Sequence, residues 1–140
     1  MIVVALIAVA AGVVSLALRD SSNKRLQIEA ERLSALLESA RAESRASGLA
    51  VHWMPSGGDE GGDFRFLRVS GKRSQPMALP THWLDPQVRA EVIDAPSVQL
   101  GPEPLIGAQL IVLRLADQQL QLATDGLGPF VVAGETPQQP

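Results

Sequence analysis

Two histidines, each followed by a tryptophan, are the residues best suited to chemistry in this chain: His52-Trp53 and His82-Trp83. Two imidazoles joined by a carboxylate can hold a transition metal, but these two fall on different predicted elements and share no short ligand spacing. They read as ordinary strand and loop residues. Asp59, Glu60 and Asp63 cluster in the glycine-rich stretch 56–63. Carboxylate oxygens suit calcium, yet the ordered ligand positions of an EF-hand loop are missing. Serines are plentiful, but no Gly-x-Ser-x-Gly elbow is present, and no glycine pattern opens a helix to cradle phosphate. Gly101, Gly107, Gly126 and Gly128 read as turns. With no cysteine in 140 residues, thiol nucleophiles, thiolate metal sites and disulfides are excluded. The expectation is therefore a protein without catalytic residues, metal or cofactor, acting on no small-molecule substrate.

The elements that position these residues begin with residues 1–18, which carry no charge and end abruptly at Arg19 and Asp20. As a helix this run reaches about 27 Å, close to the roughly 30 Å of a bilayer's hydrocarbon core. Residues 1–20 are expected to form a transmembrane helix. Ala8, Ala11, Gly12 and Ser15 share one face of it, opposite bulkier Leu6, Val9, Val13 and Leu16. Apolar helices associate in lipid through close backbone approach, and a face of small residues permits it. A plain anchor is the simpler alternative. Cleavage as a signal peptide near residues 8–12 is disfavoured, because no Lys or Arg precedes the run and the apolar stretch continues past the small residues.

Over residues 24–47 the pattern becomes amphipathic. Leu26, Ala30, Leu33, Leu37 and Ala40 recur every three or four positions, with charged residues including Glu29, Arg32, Glu38 and Arg41 assigned to the rest of the circumference. Glu29 with Arg32, and Glu38 with Arg41, fall at i, i+3 and can pair. Gly48 is the expected stop. Ser21, Ser22 and Asn23 offer a possible N-cap, so the helix either restarts there or continues as one rod through 21–47. The apolar stripe needs a surface to lie against. A coiled coil would supply one, but the heptad pattern lasts barely three repeats.

From Leu49 the pattern turns to alternation. Leu49, Val51 and Trp53 share one strand face, and Phe64 and Phe66 share one face of the next, with Leu67 and Val69 on the other. Residues 71–86, broken by Pro76, Pro80 and Pro86, read as an irregular loop anchored by Trp83 and Leu84. Residues 88–92 alternate again, and 98–100 are expected to extend the same sheet. Residues 109–115, a turn at Asp117-Gln118, a strand with Leu120 and Leu122 on one face, a turn at Asp125-Gly126 and a strand over 129–133 complete a β-rich domain at 48–134. The polar tail 135–140 is expected to fray. The fold class is α+β: a long N-terminal helix docked through Leu26, Ala30, Leu33, Leu37 and Ala40 on an antiparallel sheet or sandwich.

The apolar run Met1-Ile2-Val3-Val4-Ala5-Leu6-Ile7-Ala8-Val9-Ala10-Ala11-Gly12, the helix from Glu29-Ala30-Glu31-Arg32-Leu33 to Ala46-Ser47-Gly48, and the β-rich remainder together resemble type IV pilin-like proteins. More closely, they are similar to the H-class minor pseudopilins of type II secretion, which share a domain family with FimT-type minor pilins. Leu113-Arg114-Leu115 and Thr124-Asp125-Gly126-Leu127-Gly128-Pro129-Phe130 are similar to the closing hairpin of that class. The resemblance implies a single-pass protein of the bacterial inner membrane with its C-terminal domain in the periplasm. Its implied partners are other pseudopilins, the inner-membrane assembly platform and membrane lipid. A minor pilin of a type IV pilus and a membrane-anchored periplasmic binding module are the alternatives.

Pilin precursors open with a basic leader, a glycine and then Phe-Thr-Leu-Ile-Glu, and Met1 would fall directly after that glutamate. No cleavage or methylation residue is carried over to this sequence. Arg19, Lys24 and Arg25 follow the span with nothing basic before it, which by the positive-inside rule places the domain in the cytoplasm. An upstream in-frame leader rich in Lys and Arg is expected, and it would restore the basic flank and lengthen the span. The net charge of −3, spread over mixed signs, leaves no basic patch for nucleic acid.

Overall fold

The computed structural model describes residues 2–56 and 62–133, with helix side chains described from Asp20 onward. The acidic loop residues 57–61 and the tail from 134 fall outside this range.

Helix α1 spans Ile2–Ser47 without interruption. Neither Gly nor Pro occurs between Gly12 and Gly48, so nothing in the sequence breaks the hydrogen-bond ladder at Ser21, Ser22 or Asn23. The helix ends where Gly48 adopts φ +71° and its N–H donates to the Ser44 carbonyl at 2.9 Å. Only glycine takes that left-handed conformation without steric cost.

Among the described residues eight strands follow: β1 (Ala50–Pro55), β2 (Phe64–Ser70), β3 (Arg73–Pro76), β4 (Arg89–Val92), β5 (Val98–Gln99), β6 (Gln109–Leu115), β7 (Gln118–Thr124) and β8 (Val131–Val132). They form two antiparallel four-stranded sheets, in the orders β3-β2-β1-β5 and β4-β6-β7-β8. The molecule is thus α+β, with one N-terminal helix packed on antiparallel sheets. Helix α1 contacts β6, β7 and β8 of one sheet and β1 of the other.

Alternation along each strand sends one set of side chains inward. Val51, Trp53, Phe64, Phe66 and Val98 come from the first sheet, and Ile111, Leu113, Leu115 and Leu122 from the second. They merge with Leu26, Ala30, Leu33, Leu37 and Ala40 of α1 into a single buried cluster. Phe64 is the hub of its aromatic part, with ring centroids 4.6 Å from Trp83, 5.9 Å from Trp53 and 6.1 Å from Phe66. The helix supplies the layer that covers the inward face shared by the two sheets.

Several local expectations are corrected. The stretch after Gly71 is not wholly irregular: Gly71 turns at φ +59° and β3 pairs with β2 from Ser70↔Arg73 to Leu67↔Pro76. All four residues of β3 are exposed, so the strand has no apolar alternation by which to be seen. Trp83 is buried, but Leu84 is 65% exposed and anchors nothing. Val98-Gln99 does not extend the sheet of β4. It pairs with β1 through Trp53↔Val98, because Asp94 at φ +61° and the turn around it carry the chain across to the other sheet. The β6–β7 turn falls at Ala116-Asp117, one residue earlier than expected, with Ala116 at φ +53°. The last strand is only Val131–Val132.

Candidate functional site

Ala8, Ala11, Gly12 and Ser15 lie within the backbone of α1, and their side chains are outside the described residues. Among the described residues, no helix is long and apolar enough to cross a membrane. The docking residues are visible in full: Leu26, Ala30, Leu37 and Ala40 are completely buried, and Leu33 is 1% exposed.

The helix is fastened by polar side chains as well, and two of these correct the sequence reading. Glu29 and Arg41, assigned to the solvated circumference, are buried. Arg41 reaches a loop between β7 and β8 and donates to the carbonyls of Gly128 at 2.8 Å, Gly126 at 3.0 Å and Leu127 at 3.2 Å, with Pro104 at 3.0 Å. The loop is built to present those oxygens. Asp125 accepts the N–H groups of Leu127 and Gly128, both at 2.9 Å, and Thr124 Oγ1 accepts that of Gly126 at 3.0 Å. With the N–H groups occupied by side chains, the carbonyls turn to the guanidinium. Those backbone donors hold the Asp125 carboxyl below the usual aspartate range. Gly126, at φ +96°, has no room for a side chain: a Cβ would stand 2.6 Å from the Gly107 backbone.

Other attachments line up along the same helix. Ser34 donates to the Phe130 carbonyl and Ser44 to that of Leu49. Arg32 donates to the His82 carbonyl at 2.9 Å, and Arg25 pairs with Asp85 at 3.2 Å. The expected i, i+3 contacts are present but long, at 3.8 Å for Glu29–Arg32 and 3.6 Å for Glu38–Arg41. The spacing contained a clue to the buried pair. Glu29 lies three residues after Leu26, and Arg41 four after Leu37, both inside the seam, but their charge argued for solvent.

Glu29 Oε1 accepts the Asp85 N–H at 3.0 Å, while Oε2 has no hydrogen-bond partner. Burial, the dominant influence, raises its pKa above the ordinary 4.5, against the opposing pull of the Asp85 and Leu84 N–H groups and of Arg32. The folded state therefore binds more protons than the unfolded one above that value, so this group's contribution to stability falls as pH rises. For Glu29→Gln, chemical denaturation across a pH series is expected to show the stability difference moving in favour of Gln as pH climbs from 4.5 to neutrality. A difference flat over that range would mean that the carboxyl is solvated.

The two histidines have different partners. His52 Nδ1 lies 3.2 Å from Ser97 Oγ, and the exposed His82 lies 3.6 Å from Asp63. Among the described residues no group of three His, Asp or Glu is placed to hold a metal. No family model, characterised protein or solved structure matches this chain. Two grooves mark the surface beside the helix. An apolar groove of about 400 Å³ is lined by Arg25, Ile28, Glu29, Leu84, Asp85 and Pro86. A second, of about 270 Å³, runs between Ala30, Glu31 and Ser34 of α1 and Val131-Val132 of β8, over Leu122 and Phe130.

Proposed function

We propose that this chain is a structural subunit of the pilin-like kind, a minor pseudopilin of a type II secretion filament. In this reading residues 1–18 are held in the bacterial inner membrane and the β-rich domain projects into the periplasm. The observation that carries it is the single helix Ile2–Ser47, uninterrupted from an uncharged first third to a second half that forms the spine of the domain. A rod of this kind passes mechanical load from bilayer to head without a hinge. Moving its apolar end from lipid into a bundle of like helices exchanges one apolar environment for another, so assembly exposes little apolar surface to water. Ala8, Ala11, Gly12 and Ser15 would form the packing face. Sibling subunits, the assembly platform and lipid are the partners, and the role requires no catalysis.

A membrane-anchored binding module that does not polymerise is the second reading, favoured by the groove beside the exposed Ile28 and Leu84. The absence of cysteine makes single-cysteine reporters unambiguous. In cells carrying Gly12→Cys, cross-linking is expected to give adducts with sibling subunits bearing a cysteine at the matching helix position. A protein that stays monomeric under conditions where the siblings cross-link to one another favours the binding module instead.

A further inference from the structure

We infer that the open edge of β8, with the groove beside it, is a docking site for an extended segment of a partner protein that adds to the sheet as another strand. The four edge strands are β3, β5, β4 and β8. Exposed strand edges are templates for pairing, and three of these four are protected. On β5, the Gln109 side chain bonds both backbone groups of Gln99, accepting its N–H at 2.8 Å and donating to its carbonyl at 2.9 Å. On β3, Pro76 removes a donor and Arg73 supplies charge. Strand β4 packs against β1 of the other sheet.

Strand β8 is covered at one end only, where Ser34 of α1 meets Phe130; among the described residues nothing caps its edge at Val132. Ala133 N–H bonds Gln121 at 2.9 Å, so the intervening pair Leu122↔Val132 is of the non-hydrogen-bonded kind. The N–H and carbonyl of Val132 therefore point away from β7. Phe130, the previous residue with that orientation, has its carbonyl capped by Ser34. The uncapped position opens onto the groove of about 270 Å³, with Val131 56% and Val132 37% exposed. Backbone donors and acceptors beside aliphatic side chains call for an extended peptide with apolar residues at alternate positions. Glu31, on the helix rim of the groove and exposed, adds a preference for a lysine or arginine in that segment. The chain's own residues 134–140, Gly-Glu-Thr-Pro-Gln-Gln-Pro, offer no aliphatic side chain beyond proline and lack two N–H donors.

The test uses the full chain in detergent micelles and a short blocked synthetic peptide of alternating valine and threonine bearing one lysine. Saturating peptide is expected to slow hydrogen exchange at the Val132 amide roughly tenfold or more. Val132→Pro, which removes an N–H that β7 does not use and fixes φ in the range an edge strand tolerates, should abolish binding. Glu31→Lys should weaken the lysine peptide about threefold and strengthen its glutamate counterpart, a reversal that loss of folding cannot produce. Unchanged exchange at Val132, or Val132→Pro binding as well as the parent, overturns the proposal. So does protection of Val132 without peptide, whether it rises with protein concentration, indicating a second copy, or disappears on removal of residues 134–140, indicating the tail. None of these readouts depends on filament assembly, so the helix-packing reading stands or falls separately on the Gly12→Cys cross-link.

Discussion

Leu37→Asp is expected to unfold the β-rich domain or bring it to the edge of unfolding, with Leu33→Asp close behind. Both leucines are buried in the cluster that joins α1 to the two sheets, at 0% and 1% exposure. Truncating a buried leucine costs about 2–5 kcal/mol through lost transfer energy and the cavity left behind. An aspartate adds the penalty of a carboxylate among apolar neighbours, relieved only by protonation or by opening the helix–sheet contact. The total, at least ~4 kcal/mol, is comparable with the whole stability of a small domain, about 5–15 kcal/mol. Trp53 and Trp83 are the only tryptophans and both are buried, so their fluorescence reports the core directly. Thermal denaturation of the full chain in detergent should show the cooperative transition lost or strongly lowered. Ala35→Asp, on the exposed face of the same helix, should shift stability by no more than ~0.5 kcal/mol. If Leu37→Asp and Ala35→Asp melt alike, the helix is not the spine of the domain.

The second large effect is expected at Arg41. Its guanidinium donates to four carbonyls, and the loop that presents three of them is shaped by Thr124, Asp125 and Gly126 for that purpose. Arg41→Ala takes the donor from the Leu127 and Pro104 carbonyls, while Gly126 keeps the Ile106 N–H and Gly128 the Thr124 hydroxyl, and it opens a void, at a cost of about 3 kcal/mol. Arg41→Lys keeps the charge, but a compact ammonium cannot span acceptors spread over residues 104 and 126–128, so about half of that loss should remain. Urea denaturation of the three proteins orders them, and amide exchange at Leu127 and Gly128 locates the damage. A loss for Arg41→Ala below ~0.5 kcal/mol would show that water replaces the guanidinium without cost.

Much of this architecture was legible in the residues. The recurrence of Leu26, Ala30, Leu33, Leu37 and Ala40 defines both a helix and the side of it that must be covered. The alternation of Val51 with Trp53 and of Phe64 with Phe66 defines strands and their inward faces. These are local periodicities, written within a few turns or a few residues of one another. The uncharged front of the helix is equally plain, as is the stop at Gly48, where a left-handed residue is required.

Tertiary structure decided the rest. A two-residue strand such as β5 or β8 contains no period, so its sheet is chosen by the turn that delivers it: the positive φ of Asp94 precedes the crossing of Val98 to β1 rather than β4. Strand β3, exposed throughout, is held by its hairpin partner and not by burial. Glu29 and Arg41 carry the signature of surface residues, and only the arrival of the Asp85 N–H and of four distant carbonyls makes their burial tolerable. Which charge finds a partner, and which edge remains open, are properties of groups brought together from more than fifty residues apart in the chain. No local pattern encodes such meetings, because the energy that decides them arises only once water has been displaced from both sides.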